Sequence, residues 1–449
     1  MQHFEKCNAR DALKRRNENS SWDGAAKRLT PDTWPAITPS FKVKSGAKVF
    51  TMGSCFARNI EEQLALLGFD LPTLAFSVPD NEWPGLRKNG ILNKYTPAAV
   101  YQEIHWASEI FKRGDGFIPS DADQMRFDMA DGQVVDLHLG GLVPVTAERF
   151  IERRKDIYDV YAHVFSSDLI ALTFGLTESW SEIKTGLHIH QPPASRQLIR
   201  KAADYEFVNL DYEACLDYMR RTVAILKDLN PNAFIIVTTS PVPLNATFTE
   251  QDVIVANMLS KSTLRSALGK LAIETENLDY FPSYESVMLS PTQAAFEDDL
   301  RHIRDGFVGK IVKRLTSHYF DITDVTASLV QEAAVALGTP GSEKDCPAFV
   351  ALEKHNPAVE TLTDDQLNVY LRNSWRVGNR RKVRRIAKEI MQRAPRIHRH
   401  LRGIAHIFPK CKLEAELEIY AKDVLAIDPN SKLARRCLGL DETGVLKPT

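Results

Sequence analysis

The sequence predicts an α/β domain built on a parallel sheet, followed by a small all-α region. Three observations carry this reading. Between about residues 46 and 325, short apolar runs rich in β-branched residues alternate with helical patterns, as strands joined by crossover helices require. The apolar runs are continuous rather than alternating, which fits strands buried on both faces. Beyond about residue 330 the chain becomes basic and helix-rich, and it repeats itself.

Residues 1–45 are polar and broken by Pro31, Pro35 and Pro39, an extended arm laid over the following domain. Within 46–325, strands are expected at 48–52, Leu169–Phe174 and 233–238. Helices are expected at 57–67, 96–110, 147–164, Tyr212–Leu229, 252–276 and about 294–318. In Tyr212–Leu229, for example, Leu216, Met219, Val223 and Leu226 make one apolar face. Residues 133–139 alternate apolar and polar, a half-exposed strand outside the main sheet. Residues 326–360 read as a linker with a hinge at Asn356-Pro357, and 361–449 as a helical region.

In that region Ala387-Lys-Glu-Ile-Met-Gln-Arg-Ala-Pro395 aligns with Ala421-Lys-Asp-Val-Leu-Ala-Ile-Asp-Pro429 at an offset of 34 residues. That is the period of tetratricopeptide-type helical pairs, with a plain helical bundle as the alternative. Two copies are fewer than such arrays need alone, so they are expected to pack against the α/β domain. The basic run 376–385 reads as a solvated helix face rather than a phosphate-binding patch.

A chain of 449 residues suggests two or three domains. Lys plus Arg (57) balance Asp plus Glu (58), so no whole-molecule field argues for nucleic acid or an anionic membrane. The first residues lack the apolar core of a secretory signal, and no run approaches a bilayer span. A cytoplasmic protein without a membrane span is expected. The six cysteines are scattered without a C-x-x-C pair, so reduced thiols are expected and neither a zinc site nor a disulfide framework is signalled. His188 and His190 alternate as strand neighbours but lack an acidic or cysteine companion. No metal or cofactor is expected.

The chemistry concentrates where strands end, because ligands of parallel α/β sheets gather beyond the carboxyl ends of the strands. After the first strand come Gly53, Ser54 and Cys55, at the start of a helix. Ser54 reads as a helix cap and as a nucleophile, two roles that one exposed serine can fill together. Cys55 competes as nucleophile, since a thiolate gains from a helix N-terminus. After the second strand comes Gly175-Leu-Thr-Glu-Ser-Trp180, and after the third Thr239-Ser-Pro-Val-Pro243. Glu297-Asp-Asp-Leu-Arg-His302 holds an Asp-x-x-His pair, whose spacing lets Asp299 orient the imidazole of His302. A surface ion pair is the plainer reading. The Ser260-Lys261-Ser262 triplet reads as part of a helix packed near the site, with Lys261 solvated or contacting an acid.

Gly53-Ser-Cys-Phe-Ala57 resembles the signature of the GSCFA domain family, itself similar to the SGNH (GDSL-like) hydrolases. The resemblance runs through Gly175–Trp180, Ser240–Pro243, residues 256–265 and 280–285, covering about residues 45–320. It implies a flavodoxin-like three-layer α/β/α domain with Ser54 as nucleophile, His302 as base and later acid, and Asp299 as its orienter. It further implies an oxyanion hole from the Ser54 amide and a glycine amide. Gly53, Gly90, Asn93 and Gly175 are the candidates there, and Thr177 stands where the SGNH pattern has asparagine. Ile303 follows His302 where that pattern usually has proline. Glu178 and Trp180 are placed to shape the pocket or pack beneath it.

The expected function is that of a serine-dependent esterase or O-acyltransferase acting on ester groups, carbohydrate O-acyl groups being the class the resemblance suggests. Its partners would be an ester-bearing small molecule or glycan, with a protein partner possible at the C-terminal helices. The alternative is a catalytically degenerate module of the same fold that binds a glycan or protein.

Overall fold

A computed structural model describes residues 4–83, 87–194, 198–394 and 396–440. Four parallel strands form its central sheet: β1 (Val49–Gly53), β2 (Leu169–Phe174), β3 (Phe234–Thr239) and β4 (Leu278–Tyr280), in the order β4-β3-β2-β1. On the outer side of β1 the chain returns at Asp70, whose carbonyl accepts from Val49 N–H at 2.8 Å. The three longer strands lie where the continuous apolar runs place them. β4 escapes a pattern search because only three residues pair, directly after Asn277 in the left-handed conformation (φ 56°).

Helices cover both faces. On one side Phe50, Met52, Ile170, Leu172, Ile235 and Val237 pack against α2 (Pro97–Arg113), α4 (Tyr212–Leu229) and α5 (Val253–Glu274). On the other, Val49, Leu169 and Ile236 pack against α1 (Cys55–Ala65) and α6 (Asp305–Tyr319). The period-two alternation of each strand feeds both cores, and each buried large aliphatic side chain contributes about 1.5–3 kcal/mol. α3 (Ala147–Ala162) extends the first layer.

The helix expected from about 294 begins instead at Asp305. Asp299 Oδ1 accepts from the amides of Arg301 (3.0 Å) and His302 (2.9 Å), a local turn that competes with helix. The strand within 133–139 is real, Val134–Asp136 pairing with Arg126–Asp128 outside the main sheet, but it is wholly buried. Val134 packs with Phe150, Val135 packs with Leu187 and Ile189, and Asp136 pairs with Arg154, so neither face meets water.

The N-terminal arm carries two short helices, Ala9–Lys14 and Trp22–Ala26, and then runs extended. Trp34 stacks on Phe307, Phe41 stacks on Phe234, and Val43–Lys44 pairs with Phe320–Asp321.

Residues 326–360 hold α7 (Val325–Leu337) and α8 (Pro347–His355) rather than an open linker. Their apolar faces, through Val330, Ala333, Phe349 and Leu352, share one core with the helices that follow. These are α9 (Asp364–Arg376), α10 (Arg380–Gln392), α11 (Leu401–Ile407), α12 (Glu414–Ile427) and α13 (Lys432–Cys437). Asn356, at φ 49°, ends α8 at the expected hinge. The two repeat copies fall on the ends of α10 and α12, Pro395 lying outside the described residues. On α10, Val383, Ile386 and Ala387 are buried while Arg381, Arg384 and Arg385 are exposed. Leu66, next to α1, joins the helical core, and its carbonyl accepts from Gln366 Nε2 at 3.0 Å. Among the described residues, no helix is long and apolar enough to cross a membrane. None of the six cysteines is bonded to another.

Beneath the sheet's carboxyl end lies a buried ionic network. Glu103 meets Lys94 at 3.2 Å, Arg154 at 2.9 Å and His138 Nδ1 at 2.5 Å, and Arg154 clasps Asp136. Burial alone would push Glu103 up, but Lys94, Arg154 and His138 hold it well below the ordinary carboxylate range. Burial, with Lys94 beside it, pushes the His138 imidazole down to about 4. In the unfolded chain the same imidazole takes up a proton near about 6.5. Stability carried by the neutral ring is therefore present above that value and is lost as pH falls from about 6.5 toward 4. Urea unfolding between pH 7 and 5 checks this. Wild-type stability is expected to fall with pH, and His138→Gln to flatten the slope by up to about 1.4 kcal/mol per pH unit.

Candidate functional site

The site begins with a steric demand at the end of β1. Gly53, paired in register with Thr173 of β2, has φ +132°. A Cβ at Gly53 would lie 2.0 Å from the Thr173 carbonyl oxygen and 2.5 Å from its hydroxyl. Only glycine fits, and the chain turns immediately into α1 with Ser54 as its N-cap. Ser54 Oγ accepts from Phe56 N–H at 3.2 Å and lies 3.2 Å from Thr173 Oγ1. The Ser54 amide donates to Thr173 Oγ1 at 2.9 Å and to its carbonyl at 3.2 Å. Ser54 is only 2% exposed.

Two other strand ends converge on this turn. A Cβ on Gly175 would lie 3.6 Å from Ser54 Cβ and 3.8 Å from Ser240 Cβ. The Gly175 amide donates to Tyr95 O at 2.8 Å, and Lys94 N–H donates to Gly53 O at 2.8 Å, so the 93–95 segment closes a third side. Asn93 is buried there, its Oδ1 without a partner. The structure thus gathers Gly53, Ser54, Asn93 and Gly175. Gly90 lies apart, packed against the Trp83 indole. Thr177 turns to Asn209 (2.8 Å), and Glu178 accepts from Thr247 Oγ1 (2.6 Å) and Phe248 N–H (2.9 Å). Glu178 opens the side sheet that Glu178–Glu182 forms with Tyr205–Asn209, Thr177 directly precedes it, and within it Trp180 packs against Phe207 and Phe248.

Asp299 and His302 do form a pair, with Nδ1 2.5 Å from Asp299 Oδ2. That bond, with the two amides on Oδ1, holds the Asp299 carboxyl well below its usual range. Both side chains face water, His302 at 56% and Asp299 at 48% exposure, and no hydrogen bond joins His302 to Ser54. Between the exposed Leu300 and His302, Arg301 is half-buried. Its Nε is buried without a partner, and its charge reaches Cys55 and Tyr95. In the sequence the only signal of Arg301 is its place beside His302.

Lys261 departs from expectation. It is fully buried and meets no acid, donating instead to Gly175 O (2.6 Å) and Val242 O (2.7 Å). Two carbonyl dipoles stand in for a carboxylate, and burial pushes the ammonium down to about 7. Burial also raises the Cys55 thiol, against the pull of Arg87, Arg301 and Lys261, so the neutral thiol is favoured over the thiolate.

His188 has both ring nitrogens engaged, by Ser179 Oγ (2.9 Å) and Tyr218 OH (3.1 Å), and His190 stacks on Tyr95. One group of three possible metal ligands occurs among the described residues, Asp80, His398 and Asp428, at the contact between the α/β domain and the helices. The Lys88 ammonium pairs with Asp80 and lies 3.6 Å from Asp428, so a cation of the chain's own already serves these carboxylates.

The model of the GSCFA family matches residues 48–315, more than half of the chain. No curated protein and no solved structure matches it.

The turn's geometry gives a stability test. Gly53→Ala is expected to lower unfolding free energy by more than about 2 kcal/mol, because backbone and strand β2 must separate. Thr173→Val, which removes only the hydroxyl bonds to Ser54, is expected to lower it by about 1–3 kcal/mol in the same denaturation series.

Proposed function

The chain belongs to the GSCFA family, and from that premise we propose that it is a serine-dependent ester hydrolase or O-acyltransferase with Ser54 as nucleophile. The observation that carries the reading is the convergence of three strand ends on one serine at a helix N-terminus, with a formed Asp-His pair on a neighbouring loop. The sheet order, with the Asp70 segment outside β1, suits a flavodoxin-like, SGNH-type arrangement.

In this mechanism Ser54 Oγ attacks the ester carbonyl carbon as His302 Nε2 takes the hydroxyl proton. Asp299, on Nδ1, fixes the ring and stabilises its protonated form. The tetrahedral intermediate collapses, and the C–O bond to the alcohol breaks as His302 returns the proton to the departing oxygen. Water or an acceptor hydroxyl then attacks the acyl-serine, its proton passing to His302 and on to Ser54. The cationic surroundings of Arg301 and Lys261 and the first-turn amides of α1 favour charge on the carbonyl oxygen. The Ser54 and Gly175 amides are engaged by Thr173 and Tyr95, so productive binding must exchange those bonds or use other donors. His302 must also close over Ser54 as substrate displaces water. A sugar ester is the substrate class, and no cofactor is required. A cytoplasmic location fits the chemistry, and the C-terminal helices are available to a protein partner.

The burial of Ser54 away from His302 favours, as a second reading, a degenerate module that binds without turnover. A serine-reactive fluorophosphonate and a panel of short acyl esters separate the two. Labelling at Ser54 is expected, with Ser54→Ala lowering turnover at least about 1,000-fold and His302→Gln lowering it about 100- to 10,000-fold. Folded protein that neither labels nor turns over any ester would establish the binding module instead.

A further inference from the structure

We infer that the cavity between the α/β domain and the C-terminal helices is a binding site for a neutral polyhydroxylated group, such as one sugar ring, formed by Gln63, Asn368 and Arg372. The cavity has a volume of about 190 Å³, many times the roughly 10–15 Å³ that one water requires. That leaves room for a small ring.

Its walls come from both parts of the molecule. Asn59, Glu62 and Gln63 lie on α1, Asp305 opens α6, and Asn368 and Arg372 lie on α9. Asn59 follows Ser54 by five residues, about 7.5 Å along the helix axis, and Asp305 follows His302 by three. The cavity is thus walled by α1, whose N-cap is Ser54, and by α6, which starts three residues after His302.

Most polar groups around it are satisfied. Arg87 grips Glu62 through two bonds of 2.7 and 2.9 Å, and Arg399 grips Asp365 at 2.7 Å. Two groups are not, and a third is left to solvent. Gln63 Oε1 and Asn368 Oδ1 are buried acceptors with no partner. Arg372, an exposed residue on the cavity's rim, makes no hydrogen bond or ion pair among the described residues and feels Asp305 only at a distance.

The complement of these groups is a ligand that donates to two amide oxygens and accepts from a guanidinium. A hydroxyl does both. A carboxylate or phosphate would satisfy Arg372 but would require both carboxamides to turn their nitrogens inward from the orientation they hold, and an ammonium would face Arg372. The lining charges also cancel, Arg87 against Glu62, Arg399 against Asp365 and Arg372 against Asp305, so no net field selects an ion.

That the ring belongs to the substrate rests on the acyl-transfer reading; that it binds does not. Calorimetric titration of the full chain with methyl glucoside, methyl galactoside, N-acetylglucosamine and myo-inositol tests it, with sodium glucuronate and glucosamine as charged arms. At least one neutral compound is expected to bind wild type and Ser54→Ala alike. Asn368→Leu should weaken it about 3- to 10-fold and Arg372→Met about tenfold or more. Neither variant should lower the melting temperature, because each removes a group with no partner in the protein. Failure of every neutral compound up to its solubility limit, tighter binding of a charged one, or binding indifferent to both substitutions would overturn the inference. Phosphonate labelling of Ser54 is read separately, so loss of one proposal does not carry the other.

Discussion

The organisation of the site depends on the contact between Gly53 and Thr173. Parallel pairing brings the two residues opposite one another, and the carbonyl and hydroxyl of Thr173 occupy the space where a side chain on residue 53 would lie. The absent Cβ lets β1 end flush against β2, and the same two Thr173 oxygens then capture the Ser54 amide. The start of α1, the direction of Ser54 and the proximity of Gly175 all follow from that one close approach.

The loops around the turn are held by polar groups taken out of water. Lys94 joins two systems, its amide on Gly53 O and its ammonium in the network with Glu103, Arg154 and His138. Tyr95 O accepts from both Gly175 and Leu176, and Lys261 ties the Gly175 carbonyl to that of Val242. Buried ions of this kind are a weak source of net stability, since desolvation offsets most of their attraction. Their effect is positional: each has few alternative partners, so shifting one strand-end loop leaves a charge or carbonyl stranded. The Ser54 turn is rigid for that reason, whereas Asp299 and His302 lie in a loop held mainly by its own turn bonds.

This contrast also explains what the sequence makes legible. Val49–Gly53, Leu169–Phe174 and Phe234–Thr239 read correctly because strands buried on both faces need unbroken apolar runs. Tyr212–Leu229 reads correctly because its core face has helical period. Gly53, Ser54 and Gly175 are legible because they end or directly follow parallel strands, whose carboxyl ends the topology gathers. Thr173 was hidden inside a strand, where its role arises only from register. The direction of Arg301 was equally hidden, because a turn decides which of three adjacent side chains points inward. Lys261 was misjudged because backbone carbonyls, which leave no mark in composition, serve as its partners. The stretch 326–360 reads as a linker from the change of character near 330 and the Asn356-Pro357 hinge, although α7 and α8 within it bury apolar faces.

Those two helices bear on what the C-terminal region is for. A flexibly tethered module would share little core with its neighbour and leave the contact wet. Here Leu66 enters the helical core, Gln366 caps its carbonyl, and Asp80 receives Lys432 N–H at 2.7 Å while its own amide donates to Asp428 Oδ1 at 3.2 Å. With the walls fixed in this way, groups left without partners between them are not the accident of a loose joint. A buried polar atom without a partner costs about 1–3 kcal/mol. Gln63 and Asn368 each leave one such acceptor open, and both line the same cavity. A ligand entering there finds donors and acceptors already oriented, so little ordering of the walls opposes its binding.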